Sequence, residues 1–221
     1  MVGAILSSPL MHLPLVIPLI DGLSILDVGC GRGKWGYLMR VDWWATRKGE
    51  RDKEPELLVG VDLFLPFLSK VRYHRIYDDV VYCHASYLPF ATQSFDVVLA
   101  SEILEHIPKE QGLLLLQEAE RIAKKSVIIT TPHLAFRRRG GLPTPEGFNP
   151  LERHVQRWTV KQLRERGYHV WGVGLFPMTY FKTLNFILSP ISYLVPQIAT
   201  HLVAMKQKRG QVYQGKVTAS V

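Results

Sequence analysis

Cysteine is scarce in this chain: Cys30 and Cys83 are its only two, in 221 residues. They stand far apart, so they make neither a metal-ligand pair nor a disulfide framework, and they fit a reducing, cytoplasmic compartment. No metal centre is expected. Low-complexity tracts are missing too, and with 47% apolar residues the composition is globular. Such a length holds one sizeable α/β domain and is too short for two full ones. Acidic residues are the scarcer charge, 19 Asp and Glu against 27 Lys and Arg, giving +8 and an isoelectric point near 9.5. That balance permits an anionic partner such as nucleic acid, a phosphorylated small molecule or an acidic membrane surface, and selects none of them.

Two further absences concern membranes. The apolar opening "MVGAILSSPLMHLPLVIPLI" has no positive n-region and carries three prolines, so a cleaved signal peptide is not expected. Residues 1–22 read instead as a short leading helix or extended arm that covers one face of a sheet. Residues 183–205 hold no Lys, Arg, Asp or Glu, a length sufficient to span a bilayer. Pro190, Pro196, Asn185, Gln197 and His201 break that run, and no transmembrane span is expected. The better reading is an apolar excursion over 176–198, serving as a lid, a pocket wall or a peripheral membrane contact. A final edge strand, "THLVAMKQK", follows it, and residues 211–221 form a flexible tail.

What is present alternates strand with helix. "LSILDVG", "ELLVGVDL", "VVYCHAS", "SFDVVLASEIL" and "SVIITTPH" read as strands. "KWGYLMRVDWWA", "LPFLSKVRYHRIY" and "KEQGLLLLQEAERIAKK" read as helices, the first with Trp35, Leu38, Met39 and Trp43 or Trp44 on one side. "FRRRGGLPTPEGFNPLERH" is a long loop, its Arg137–Arg139 run read as solvated, and the helix "TVKQLRERG" and strand "YHVWGVGLF" follow. Short β-rich runs joined by helical crossovers argue for a parallel sheet covered on both faces. Ligands of such sheets sit beyond the carboxyl ends of the strands. Asp27, Asp62, His84, Glu102 and His133 all fall at or just past such ends.

The glycine-rich stretch "ILDVGCGRGKWG" is open to two readings. Gly31, Gly33 and Gly36 satisfy G-x-G-x-x-G, a dinucleotide fingerprint in which a helix N-terminus meets a pyrophosphate. Asp27 ahead of Gly29 suits a cationic ligand instead, because a carboxylate repels a pyrophosphate and attracts a sulfonium or ammonium. Asp62 does not discriminate, since an acid closing the second strand can accept both ribose hydroxyls in either case.

Together "LDVGCGRG", "VGVDL", "LPFATQSFDVVLASEILEHI", "RIAKKSVIITTPH" and "ERHVQRWTVKQLRERGY" resemble the class I S-adenosylmethionine-dependent methyltransferases, particularly the small-molecule type-11 group. The match runs over residues 20–175 in the family's order. It implies a Rossmann-like, doubly wound α/β fold, a mostly parallel seven-stranded sheet with an antiparallel last strand and helices on both faces. One domain would span 1–210, with the arm 1–22, a substrate loop 134–158 and the apolar insertion 176–198. The resemblance assigns Asp27, Gly29, Cys30, Gly31 and Gly33 to the methionine end of the cofactor, and Asp62 to its ribose with Leu63 on the adenine. It gives His84, Ala85 and Leu88 to the adenine turn, and Ser101 and Glu102 to the loop beside the cofactor. One departure is His84, where the family usually has Asp to accept from the adenine amino group; a neutral imidazole can accept through one nitrogen, or Ser86 takes over.

S-adenosyl-L-methionine is the cofactor this implies, S-adenosyl-L-homocysteine its product, and an O, N or C nucleophile of a small molecule its acceptor. RNA is the alternative acceptor, and a non-catalytic cofactor-binding scaffold the other alternative. A general base is needed only where the acceptor must lose a proton. His106, His133 and His154 are candidates, with Glu105 beside them. "EILEHI" reads as a helix start, which would aim Glu105 and His106 in different directions.

Overall fold

The computed structural model describes residues 12–40, 54–134, 141–175 and 191–208. Trp43, Trp44, the Arg137–Arg139 run, most of the 176–198 excursion and the tail lie outside the described residues.

Seven strands form one sheet in the order β3-β2-β1-β4-β5-β9-β8. β1 (Ser24–Val28), β2 (Leu57–Asp62), β3 (Asp79–Tyr82), β4 (Phe95–Ser101) and β5 (Ala123–Pro132) are parallel to one another. β9 (Ala199–Gln207) runs antiparallel to both β5 and β8 (His169–Leu175). The Rossmann-like expectation holds, antiparallel last strand included. Strand order reverses between β1 and β4, the switch point where open α/β sheets bind ligands.

Helices cover both faces because the central strands bury both of theirs, and only near-continuous apolar runs such as "FDVVLAS" can do so. One core packs α4 (Lys109–Ile122) and α5 (Val160–Glu165) on the sheet through Leu115, Leu116, Trp158 and Leu163. The other packs α1 (Leu13–Leu19), α2 (Lys34–Arg40) and α3 (Leu65–Tyr73) through Val16, Leu19, Trp35, Met39, Leu68 and Val71. α1 is the leading helix read from the sequence: its Val16 and Leu19 join Ile25, Val97, Ile128 and Val203 of the sheet.

Three readings are corrected. β9 is an interior strand and not an edge: its "LVAM" is buried on both faces, while β8 alternates half-buried and buried positions as an edge strand does. The helix expected through Lys125 ends at Ile122, and Ala123 onward pairs with β4. The long loop also holds a hairpin, β6 (Leu142–Thr144) with β7 (Gly147–Asn149). Among the described residues no helix is long and apolar enough to cross a membrane, and residues 199–205 of the uncharged run are a sheet strand.

Candidate functional site

The loop after β1 turns three times through left-handed backbone, at Gly29 (φ 74), Gly31 (φ 53) and Gly33 (φ 81), where a Cβ would cost about 1–2 kcal/mol per residue. Its amides are tied to β2. Gly29 and Cys30 both donate to the Val61 carbonyl, at 2.8 and 2.9 Å. Asp62 accepts from Gly31 N through Oδ2 at 2.9 Å and from Phe64 N through Oδ1 at 2.8 Å. Burial pushes the Asp62 carboxyl up, and those amide bonds oppose the shift. Asp62 therefore shapes the loop while each oxygen keeps a second lone pair.

Asp27 lies beneath this loop, fully buried. Its Oδ2 accepts from the Tyr77 hydroxyl at 2.6 Å, and that hydroxyl accepts from Gly36 N at 3.2 Å. Burial pushes Asp27 up to about 7; the Tyr77 bond works against that and the nearby Asp62 charge adds to it. Gly36 is where helix and sheet approach: a side chain there would collide with the Tyr77 ring.

A cavity opens at the carboxyl ends of β1, β2 and β4. Gly29, Gly31, Asp62, Leu63, His84, Ala85, Ser101 and Glu102 line it, so eight of the residues assigned to the cofactor from the sequence come together. Asp27, Cys30 and Gly33 are not among the lining residues. Phe67 of α3, Ile103, Ile107, Asn149, Leu151 and Glu152 also line the cavity and were missed. The last three follow from the hairpin, which no periodicity announced. Its Asn149 accepts from Leu151 N at 3.0 Å, starting a short 3₁₀ turn over Pro150–Glu152.

The charged side chains of that lining, Asp62, Glu102 and Glu152, are all carboxylates, with neither Lys nor Arg among them. Among the described residues the basic surplus of the chain is thus absent from the cavity wall, which favours a cationic ligand over a pyrophosphate. Glu102 holds φ 55, outside the usual range for a residue with a side chain, and such strain gathers at working sites. Thr130 Oγ1 donates to Glu102 Oε1 at 3.0 Å. With its one proton so used, Thr130 accepts from Ser101 Oγ at 2.8 Å.

His84 is placed differently from the expectation. Its Nδ1 accepts from Ser86 N at 3.2 Å, so in the neutral ring the proton sits on Nε2, which then donates. Ser86 is buried and is not among the lining residues, its hydroxyl donating to Gln111 O at 2.8 Å. The turn therefore offers a ring N–H, suited to an acceptor nitrogen of a purine and not to an amino group.

Of the three candidate bases only His106 lines the cavity. His133 sits behind it, its Nδ1 3.2 Å from the Trp158 carbonyl. That contact makes Nδ1 a donor, and burial lowers the ring's pKa. His154 packs edge-on against His106, ring centroids 4.8 Å apart. Residues 104–106 form a turn ahead of α4, so Glu105 and His106 do not diverge as on a helix. They converge, with Glu105 Oε1 3.8 Å from His106 Nε2.

Residues 26–130 match the family model described as a methyltransferase domain. The methyltransferase GfsG of Streptomyces halstedii is 30% identical over 115 residues, covering 49% of this chain and 39% of that protein. The chain thus spans about two-fifths of that relative's length. A solved S-adenosylmethionine-dependent methyltransferase from Mesorhizobium loti aligns with a TM-score of 0.54 at 16% identity, over 90% of this chain and 98% of that one. One from Archaeoglobus fulgidus aligns with a TM-score of 0.58, also at 16% identity, over 89% and 91%. At such identities the likeness is one of fold.

Proposed function

We propose, because residues 26–130 match the methyltransferase-domain model, that this chain binds S-adenosylmethionine in the cavity at the switch point and methylates a nucleophile of a small-molecule acceptor. The observation that carries the reading is that the charged lining side chains among the described residues are all carboxylates. The cofactor bears a sulfonium and an ammonium and no phosphate, so Asp62, Glu102 and Glu152 suit it where they would repel the pyrophosphate of a dinucleotide. When bound, it supplies a methyl group already activated by positive sulfur.

The residues have distinct parts in this reading. Gly29 and Gly31 let backbone approach the methionine end, and Asp62, held by two amides, faces the ribose. Leu63, Ala85 and Phe67 make the apolar bed for the purine, with the His84 N–H at its edge. Ser101, Thr130 and Glu102 form a chain of hydrogen bonds that fixes the Glu102 carboxylate at the reacting end. The protein's work in a displacement of this kind is to hold the nucleophile about 3 Å from the carbon and to exclude water. The turn 149–152 closes the side where an acceptor enters.

Titration calorimetry with S-adenosylmethionine and, separately, with NAD tests the reading. Binding of the former alone is expected, and NAD binding without it overturns the proposal. Asp62→Ala removes hydrogen bonds to a charged group worth about 1.5–3 kcal/mol, a loss of roughly tenfold or more in affinity.

A further inference from the structure

Glu105, His106 and His154 come from two separate segments, the turn after β4 and the stretch after the 3₁₀ turn. One ligand atom of each lies within 4.8 Å of the others. Hydrogen bonds to backbone carbonyls hold the segments together: Val155 N donates to the Glu105 carbonyl at 2.8 Å, and the Gln156 side chain donates through Nε2 to the Leu104 carbonyl at 3.2 Å. The arrangement is therefore built into the fold.

Each of two ligand groups is also oriented from behind. His106 Nδ1 lies 3.2 Å from the Arg153 carbonyl. A carbonyl only accepts, so Nδ1 carries the proton and the lone pair is on Nε2, the atom nearest Glu105. Thr131 Oγ1 donates to Glu105 Oε2 at 3.1 Å, leaving Oε1 on the side of His106. An imidazole whose far nitrogen is bonded to a carbonyl, beside a carboxylate held by a hydroxyl, is the outer-sphere pattern of metal ligands. Two imidazoles and one carboxylate suit a borderline divalent ion and leave coordination positions open. Because His106 lines the cavity together with Glu102 and Glu152, an ion it holds borders the space an acceptor would occupy.

We propose that Glu105, His106 and His154 bind one divalent transition ion, zinc or manganese by donor chemistry, and that its open positions take the oxygen of a hydroxyl-bearing acceptor. The acceptor half of this inference rests on the methyltransferase reading; the metal half does not. A divalent ion lowers the pKa of an oxygen it binds. The hydroxyl then gives its proton to solvent at neutral pH. Its oxygen forms the new bond to the methyl carbon as the carbon–sulfur bond breaks, and sulfur leaves as the neutral thioether. The sequence hides this site because 48 positions separate His106 from His154 (154 minus 106), and neither stands in a ligand-spacing motif.

The test uses the full, untagged chain stripped with chelator and titrated separately with Zn²⁺, Mn²⁺ and Co²⁺. One ion per chain is expected. The Co²⁺ form should give visible d–d bands and paramagnetically shifted imidazole N–H resonances. His154→Ala and Glu105→Gln should each weaken the ion at least about tenfold while S-adenosylmethionine affinity stays within twofold, as neither residue lines the cofactor cavity. Thr131→Val keeps every ligand and should weaken the ion by about tenfold, the scale of outer-sphere changes. A folded wild-type chain that binds S-adenosylmethionine but none of the three ions, or Co²⁺ bands without shifted imidazole resonances, overturns the metal site. Metal binding intact with no cofactor binding overturns the methyltransferase reading and leaves the ion in place. Ion binding that aliphatic alcohols and diols leave spectrally unchanged, in the presence of S-adenosylhomocysteine, overturns the hydroxyl acceptor.

Discussion

Asp27 is a carboxyl that water does not reach, held by Tyr77 under the glycine loop. Its pKa rises from 3.8 to about 7 on folding. A group raised in this way binds its proton more tightly in the folded state, so its contribution to stability is whole below pH 3.8 and is lost as pH rises through 7. Asp27→Asn keeps an oxygen for the Tyr77 hydroxyl and removes the titration. Thermal unfolding followed from pH 4 to 8 should therefore show wild type losing melting temperature against Asp27→Asn up to about pH 7, with a constant gap beyond. A gap that does not change with pH would refute the assignment. Asp27 was legible as an important residue, since an acid ending the first strand stands out. Its partner was not, because Tyr77 lies 50 residues on in a connection with no motif of its own. The ring tautomer of His84 was equally out of reach, since it depends on one local amide.

At the scale of elements the hairpin β6–β7 is the least anticipated piece. Its turn residue Glu146 accepts from Arg32 in the glycine loop, at 2.8 and 3.1 Å, and from Lys70 of α3 at 2.7 Å. Arg32 also lies over the Phe67 ring, 4.8 Å from its centroid. The hairpin is thus tied across the cavity to the elements that form its opposite wall. The hydrogen bonds from Arg32 and then Lys70 draw Glu146 down from 4.5 to about 2. A carboxyl depressed in this way gives its full stabilisation above pH 4.5 and loses it as pH falls through 2, so the tie holds across the neutral range. Glu146→Gln should cost a partly exposed ion pair's worth, about 1 kcal/mol or less. Stopped-flow measurement should find S-adenosylmethionine leaving up to about fivefold faster. An unchanged dissociation rate would mean that the hairpin stays down without the tie. "LPTPEGFN" reads as loop because its two prolines and glycine are turn residues, and a strand pair of three residues each is too short for alternation to register. By contrast α5 is read directly from "TVKQLRERG", and Thr159 and Gln162 close a reciprocal cap at its start.

The whole molecule depends on covering both faces of its sheet. α1 and the residue that caps it supply Val16, Ile17, Leu19 and Ile20, each at most 3% exposed. Burial of such side chains is worth about 1.5–3 kcal/mol apiece, together comparable to the roughly 5–15 kcal/mol net stability of a domain. A chain lacking residues 1–22 should lose its near-ultraviolet dichroism and bind the dye ANS; a sharp, native-like melt would show that the arm is dispensable. The architecture was the most legible level, because five buried strands separated by helices leave few topologies open. The position of the last strand was the exception. Nothing in "THLVAMKQK" says between which neighbours it inserts, and only the contrast between its continuous burial and the alternation of β8 marks it as interior.

That insertion has a bearing on how the chain comes together during synthesis. β5 leaves the ribosome well before residues 199–207, and its side facing away from β4 has no partner until β9 arrives. β8 cannot join the sheet either, since β9 is its neighbour there. For as long as translation takes to cover those residues, "VIITT" stands as an unprotected edge, rich in β-branched side chains and uncharged, the kind of segment that recruits other chains. Completion of the sheet is thus set by the arrival of its last strand, and a ribosome stalled before residue 199 would hold out a sticky nascent chain where the finished protein has a sealed one.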